Sequence, residues 1–371
     1  MTHFHLSVDH DHSILQSPNA SHNRWHPDIK PALRVAAGDR VEIETRDSFD
    51  GQIVPHKTTA EDFGTISIAR AHPLTGPIYV DGCEAGDLLA VTIEEVVPAL
   101  HGFTAILPGF GFLRDSFPTP YLVHWEFAAG FAVSPQLPGV RIRGAPFMGV
   151  MGLAPSHTLL NQILKRERDL HGRGGTVFMP DPREAIPNSD AIANNGLRTI
   201  APHETGGNMD IKQLVAGTTL YLPVSAEGGL FSTGDAHFAQ GDGESCGTAI
   251  ETSATLTARF DVLKGEAARR NQNDPSFARE GYLTDPAVAK GFYATTGNSV
   301  RRDGRNECED LTLAARNALL NMVDFVVDSY GFTREQAYCI ASVAVDLKVS
   351  QVVDVPNVIV SAFLPLDIFD R

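Results

Sequence analysis

Residues 206–251 read GGNMDIKQLVAGTTLYLPVSAEGGLFSTGDAHFAQGDGESCGTAIE. Two apolar runs, residues 218–224 and 230–232, predict strands that lead into a segment dense in polar side chains. Because residues i and i+2 of a strand share one face, Asp235 and His237 are expected to converge on one point. The stretch therefore predicts a β-rich unit with a polar site at the end of a strand.

The polar side chains of this segment are of the types that bind divalent metals. Within ten positions the chain places Asp235, His237, Gln240, Asp242 and Glu244. Carboxylate oxygens beside an imidazole suit a divalent ion such as zinc, or an acid/base site open to water. Asp and Gly are also common turn formers, so the alternative interpretation is a hairpin whose carboxylates cap turns.

Several ordered segments of the chain resemble one known family. GGNMDIK, LYLPV, FSTGDAHFAQGDGE and GTAIE are similar to the signature block of the acetamidase/formamidase family. Residues 22–29 (HNRWHPDI) and the Gly- and aromatic-rich residues 101–152 resemble its formamidase-type members. The resemblance extends from about residue 22 to residue 369 and implies a β-rich homo-oligomer that hydrolyses formamide or acetamide to carboxylate and ammonia.

The chemistry of amide hydrolysis, set against the residues present, indicates which of them could form the site. Asp210, Asp235 and His237 would hold a zinc ion, which lowers the pKa of a bound water to about 7 and polarises the amide carbonyl. Glu244 would transfer protons, first as a general base and then as a general acid. The same site offers Asp242 and Glu251 as alternative catalytic carboxylates.

Three further side chains are candidates for binding the substrate. Asn208 and Gln240 carry amide groups suited to hydrogen-bond the substrate, and Trp25 is expected to form part of the pocket wall. The alternative for Trp25 is a core position with Arg24 stacked on its ring. His72, in a loop before Pro73, is a weaker candidate.

Composition narrows the class of protein. The 371-residue chain has a net charge of −15, which argues against nucleic acid or an anionic membrane as partner. No apolar run approaches the roughly 18 residues of a membrane span, and the first residues lack a basic start followed by an apolar segment. We therefore expect a cytoplasmic protein whose partner is a small amide.

The periodicity of the chain predicts an α+β, β-rich fold, sandwich- or barrel-like, with a C-terminal helix pair and strands. Residues 31–45 alternate around Gly38-Asp39, which predicts a hairpin. Near the C-terminus, Gly331 is expected to end one helix, and Thr333 with Gln336 is expected to start the next with a capping box. We predict a β-rich domain over 1–262 with the site, and an α/β part over 263–371 packed on it, the two possibly forming one continuous domain.

Two long segments without periodicity, residues 169–202 and 266–305, are expected to be surface excursions, and the first is expected to control substrate choice. Other interpretations of the site remain open. One is a β-module that binds a metal or ligand without catalysis and holds structural calcium in place of zinc. Another is a hydrolase of a larger or cyclic amide, and a third uses Cys246 as nucleophile, although a thiol in an apolar strand is usually inert.

Overall fold

The computed structural model describes residues 2–280, 291–353 and 355–370, and within these ranges it contains twenty-two strands and five α-helices. The first large sheet has six strands, in the order β1 (His3–Leu6), β5 (Arg40–Thr45), β18 (Ala254–Leu263), β7 (Leu88–Pro98), β15 (Thr218–Pro223) and β19 (Ser276–Arg279). β1 runs parallel to β5, and the other neighbours are antiparallel.

The second large sheet has eleven strands and carries the polar motif. Its main path is β11 (Arg141–Arg143), β10 (Phe131–Val133), β9 (Tyr121–Ala128), β8 (His101–Ile106), β17 (Glu251–Thr252), β16 (Phe231–His237), β12 (Phe147–Leu153) and β14 (Gly206–Asn208). β6 (Leu74–Val80) also pairs with β16, and β2 (Ser21–His22) and β4 (Leu33–Val35) pair with β6.

The remaining elements are short sheets and helices. β3 (Arg24–Trp25) pairs with β13 (Leu197–Arg198), and β22 (Ile359–Pro365) lies between β20 (Phe292–Asn298) and β21 (Asp346–Gln351). The helices are α1 (His157–Gly172), α2 (Asp190–Asn195), α3 (Glu266–Arg270), α4 (Leu311–Tyr330) and α5 (Arg334–Ala344). Among the described residues, no helix is both long enough and apolar enough to cross a membrane.

The two large sheets pack on each other through one apolar core. Burial alternates along β5 and β18, as expected when one face of a strand points inward. Val41, Ile43 and Leu89 of the six-stranded sheet belong to the same buried cluster as Met151 and Phe231 of the eleven-stranded sheet. The predicted α+β, β-rich architecture with a sandwich-like core is therefore confirmed.

The C-terminal helices form as their sequence predicts. Gly331 ends α4 with a left-handed φ of 74°, and Thr333 and Gln336 form the reciprocal capping box of α5. Apolar residues of both helices, including Leu319 and Ile340, share a buried cluster with Trp125 of β9. The division of the chain at residue 262 stays a prediction, and this common cluster joins the two sides of it.

Two local predictions were wrong. Residues 31–45 do not form a hairpin, because β4 pairs with β6 in one sheet while β5 pairs with β1 and β18 in the other. The Gly38-Asp39 turn carries the chain from one sheet to the next. The segments expected to be irregular contain short regular elements. Residues 169–202 include the end of α1, α2 and β13, and residues 266–305 include α3, β19 and β20. Residues 281–290 of the second segment lie outside the described residues.

Candidate active site

The polar motif lies at the base of a cavity of about 720 Å³. Asp210, Asp235, Glu244 and Glu251 line its floor together with Asn208. Strand pairing brings these residues together, because His237 of β16 lies directly opposite Glu251 of β17. Cross-strand partners in an antiparallel pair project to the same face of the sheet.

His237 is the centre of the polar cluster and is fully buried. Its Nε2 atom lies 3.4 Å from Glu251 Oε1, 3.6 Å from Asp235 Oδ2 and 3.9 Å from Glu244 Oε1. Two groups of mutually close ligand atoms share this histidine: Asp210, His237 and Glu244 form one, and Asp235, His237 and Glu251 form the other. The predicted convergence of Asp235 and His237 is therefore present in the structure.

Gln240 fixes the orientation of the imidazole. Its Oε1 lies 2.9 Å from His237 Nδ1, and its Nε2 donates to the carbonyl oxygen of Asp210 at 2.7 Å. The amide oxygen can only accept, so Nδ1 carries the proton and donates it, and Nε2 is the ring nitrogen that faces the carboxylates. The ring of Phe147 packs edge-on against the imidazole, and the two ring centroids lie 5.0 Å apart.

Three of the site carboxylates are held in left-handed backbone conformations. The φ angles of Asp210, Asp235 and Glu244 are 49°, 55° and 43°. A non-glycine residue at such an angle costs on the order of 1–3 kcal/mol and persists where the surrounding structure imposes it. The turn at residues 241–247 is not extended, so the expected common strand face of Asp242 and Glu244 does not form.

Burial and mutual repulsion shift the acidities of the cluster. Burial, reinforced by Asp235 and opposed by His237, raises the pKa of Asp210 to about 7. Burial and the Asp210 carboxyl raise the pKa of Glu244 well above its usual range. Burial by itself would lower the pKa of His237, but Glu251 and Asp235 outweigh it and raise that pKa well above its usual range. The cluster thus binds positive charge strongly.

Several ligand atoms of the cluster lack a hydrogen-bond partner. Among the buried side-chain atoms of the described residues, those without a partner include Asp210 Oδ1, Asp235 Oδ1, His237 Nε2 and Glu251 Oε2. Buried polar atoms are rarely left unpaired, because their desolvation is costly. One imidazole nitrogen surrounded by carboxylate oxygens is a donor set that fits a divalent cation such as zinc.

His72 joins the site from a distant part of the chain. Its Nε2 lies 4.0 Å from Asp235 Oδ2, and its Nδ1 lies 3.1 Å from the carbonyl oxygen of Thr199. The pairing of β6 with β16 places Leu74 opposite Gly234 and thereby brings His72 to the cavity. The sequence makes His72 only a weak candidate, because a loop histidine before a proline is usually solvated.

Four predicted site residues are not among the residues that line the cavity, namely Trp25, Gln240, Asp242 and the fully buried His237. Gln240 contacts His237 from behind, as described above. Asp242 accepts a hydrogen bond from Gln213 Nε2 at 3.1 Å and lies 4.0 Å from Lys212 Nζ. Trp25 is 4% exposed and belongs to an apolar cluster with Leu160 and Ile163. The structure thus gives Trp25 the surroundings of the alternative interpretation, a core position.

Cys246 is buried in the apolar core behind the cavity floor. Its Sγ lies 3.6 Å from the carbonyl oxygens of Ala105 and Thr248. Burial alone would raise the pKa of this thiol, but hydrogen bonds from Cys339, Ser342 and Thr248 lower it to about 7. The described residues that line the cavity include its neighbours Gly247 and Thr248 but not Cys246 itself.

Known proteins are similar to this chain in sequence and in fold over nearly their whole length. The sequence profile of the Acetamidase/Formamidase family matches residues 7–371. An acetamidase of Mycolicibacterium smegmatis is 36% identical over 90% of this chain and 88% of its own. A formamidase of Methylophilus methylotrophus is 33% identical over 98% of this chain and 93% of its own.

A solved structure agrees closely with the fold. A gamma lactamase from Delftia acidovorans superposes with a TM-score of 0.93 at 33% identity, covering 100% of this chain and 94% of that chain. The molecule is thus a strand-rich α+β protein with a carboxylate–histidine cluster at the base of a cavity. It belongs to the Acetamidase/Formamidase family.

Proposed function

We propose that the protein hydrolyses carboxamides to carboxylate and ammonia, with a divalent cation held by the cluster around His237. The observation that carries the proposal is the group of buried, unpartnered ligand atoms on Asp210, Asp235 and His237 at the base of the cavity. Membership of a family with relatives named acetamidase and formamidase supports the same reaction. A binding module without catalysis has no evident need of an imidazole among hard oxygen ligands.

In this proposal Asp210, Asp235 and His237 hold the cation, which is zinc in preference to calcium because an imidazole is part of the donor set. The bound ion supplies Lewis-acid polarisation of the amide carbonyl and increases the acidity of a water molecule. Gln240 accepts a hydrogen bond from His237 Nδ1, and this hydrogen bond would leave Nε2 available to the ion.

Glu244 is the residue we assign to proton transfer. Its side chain is 17% exposed and lines the cavity, so it can reach both the attacking water and the leaving nitrogen. Glu251 is held by the backbone N–H of Ala249 at 2.8 Å and faces His237, which leaves it less freedom. A cation bound at the cluster would lower the raised pKa of Glu244 and favour its carboxylate form. In that form Glu244 takes a proton from water as the C–O bond forms, and it returns that proton to nitrogen as the C–N bond breaks.

Asn208 is placed to orient the amide. Its Nδ2 donates to the carbonyl oxygen of Ile200 at 3.0 Å, which fixes the side chain. Its buried Oδ1 has no hydrogen-bond partner among the described residues, and Asn208 lines the cavity. This acceptor is suited to bind an N–H of the substrate amide.

The proposal is tested by incubating purified protein with formamide and with acetamide and measuring ammonia release. We expect turnover of at least one of them, and its absence with both, in protein that contains its metal, would contradict the small-amide assignment. Metal analysis of the same sample supplies the required control.

Hydrolysis of a cyclic amide is a second candidate function. The TM-score of 0.93 with the gamma lactamase from Delftia acidovorans favours it, since the two chains agree over the full length of this one. Opening of a γ-lactam releases a primary amine on the same molecule and no free ammonia. An amine-specific assay with γ-butyrolactam therefore distinguishes this activity from that on linear amides.

A further inference from the structure

The cavity is much larger than the amides named in the proposed function. Its volume is about 720 Å³, whereas formamide or acetamide fills on the order of 100 Å³ at about 30 Å³ per heavy atom, the share of a water molecule in the liquid. Cavities of roughly 300–1,000 Å³ typically enclose drug-sized ligands. A small amide bound at the carboxylates would leave most of this space to water.

The unused part of the cavity is apolar. Its wall consists of Phe49, Phe63, Ile66, Ile68, Leu107 and Phe110. Four of these side chains are only partly buried and pack from behind against a buried cluster that includes Phe103 and Leu122. The protein core thus supports this wall, which presents an apolar surface to the cavity that also contains the carboxylates.

Two aromatic side chains continue this surface at the rim. Phe110 and Phe178 are 38% and 37% exposed, and their rings meet edge-on with centroids 6.2 Å apart. Exposed aromatic surface beside a cavity is favourable to cover with an apolar group. Arg114 is the only lysine or arginine among the described lining residues, and its Nη1 donates to the carbonyl oxygen of Gly111.

We propose that the preferred substrate is a carboxamide with a bulky apolar acyl group, aryl or branched aliphatic, which lies against the apolar wall of the cavity. This inference rests on the proposed function and specifies its substrate class. The amide group lies at the carboxylate floor, and the acyl group covers Phe63, Phe110 and Phe178. Water adds to the carbonyl carbon, the C–N bond breaks, and the leaving nitrogen takes a proton from water through Glu244, which yields the acid and ammonia.

The test compares ammonia release from formamide, acetamide, 2-methylpropanamide and phenylacetamide. We expect kcat/KM to rise with the size of the acyl group and to be at least about 100-fold higher for phenylacetamide than for acetamide, since even one well-buried methylene contributes roughly 10-fold or more. A flat or falling series with turnover of formamide would overturn the substrate class and leave amide hydrolysis intact. Absence of ammonia from all four would instead remove the proposed function on linear amides, and this inference with it.

Variants of the rim residues test whether the preference for large acyl groups depends on the apolar surface of the cavity. Phe110→Ala and Phe178→Ala are each expected to lower the ratio of kcat/KM for phenylacetamide to that for formamide by about 10-fold, mainly through KM. Phe292→Ala is the matched control, because Phe292 is also half exposed but lies on β20 and is not among the lining residues. An unchanged ratio in both rim variants would overturn the inference, as would an equal fall in the Phe292 variant.

Discussion

His237 belongs to both sets of potential metal ligands, one with Asp210 and Glu244 and the other with Asp235 and Glu251. A single amide side chain determines which imidazole nitrogen faces these carboxylates. Gln240 accepts the Nδ1 proton at 2.9 Å and is itself held by the backbone of Asp210. A residue that is not among those lining the cavity thereby determines that Nε2 faces the carboxylates. Such partners of metal-binding histidines commonly affect metal affinity by 10- to 100-fold.

We expect Gln240→Ala to weaken zinc binding by about 10-fold or more, because the imidazole loses the acceptor that fixes its tautomer. Competition with a chelator of known affinity measures this change without relying on activity. Gln213→Ala is the control, since Gln213 binds Asp242 outside the cavity. Equal zinc affinity in the Gln240 variant and the parent protein would show that the hydrogen bond does not position a ligand.

The two carboxylates of the 241–247 turn are expected to behave differently when neutralised. Glu244→Gln removes the proton-transfer group and should lower kcat by roughly 10²- to 10⁴-fold, while metal content stays normal. Asp242→Asn should leave kcat near that of the parent protein, because Asp242 faces Gln213 and Lys212 rather than the cavity. Loss of metal from the Glu244 variant would make Glu244 a ligand, and near-normal kcat would remove its catalytic role.

At the scale of single elements, β12 contributes to the site through a glycine, Gly149, which leaves room for the cluster. A Cβ atom on Gly149 would lie 2.6 Å from Asp210 Oδ1, 2.8 Å from His237 Cε1 and 2.9 Å from the carbonyl oxygen of Asp235. The strand can pass directly behind the cluster only because this position has no side chain. Close approach of backbone to a functional group is a common reason for glycine within a strand.

Gly149→Ala is therefore expected to reduce zinc affinity by about 10-fold or more by displacing Asp210 and His237, although it alters no ligand. Gly172→Ala in α1 is the matched control, since its Cβ would meet nothing within 4 Å and its φ is ordinary. Chelator competition and the circular dichroism of both variants separate a local effect from unfolding. Zinc affinity equal to that of the control would contradict the assignment of these residues as ligands.

The sequence predicted individual helices and strands better than it predicted which strands pair with each other. The capping box at Thr333 and the turn at Gly331 form as predicted, because both depend on residues within a few positions of each other. The alternation around Gly38-Asp39 marked two strands but not the sheet that each one joins. Pairing depends on distant residues, and this is why the predicted hairpin was wrong.

The same distinction holds for the site. Asp235 and His237 converge as the sequence predicted, although Asp235 has a left-handed φ of 55° and does not follow regular strand alternation. His72 reaches the site only through the pairing of β6 with β16, which no local pattern indicates. Trp25 carried no mark of its position in the apolar cluster, since an aromatic residue among polar neighbours fits a pocket wall and a core equally well.

At the scale of the whole molecule, strands of the eleven-stranded sheet and the loops around them line a cavity with a carboxylate floor and an apolar wall. The floor concentrates four carboxylates above a fully buried imidazole, an arrangement whose repulsion is relieved by bound positive charge. The apolar wall lies beside this floor. Together these features are typical of a site that combines a metal ion with an uncharged organic substrate.

The measurement that tests this account most directly is a zinc titration of chelated, verifiably metal-free protein, followed by ammonia release from a carboxamide that the untreated protein hydrolyses. We predict negligible release without metal and a rate that rises with added zinc and levels off at about one ion per chain. A variant with Asp235→Asn and His237→Ala, shown by circular dichroism to be folded, should not respond. Full activity in the metal-free protein would contradict the account.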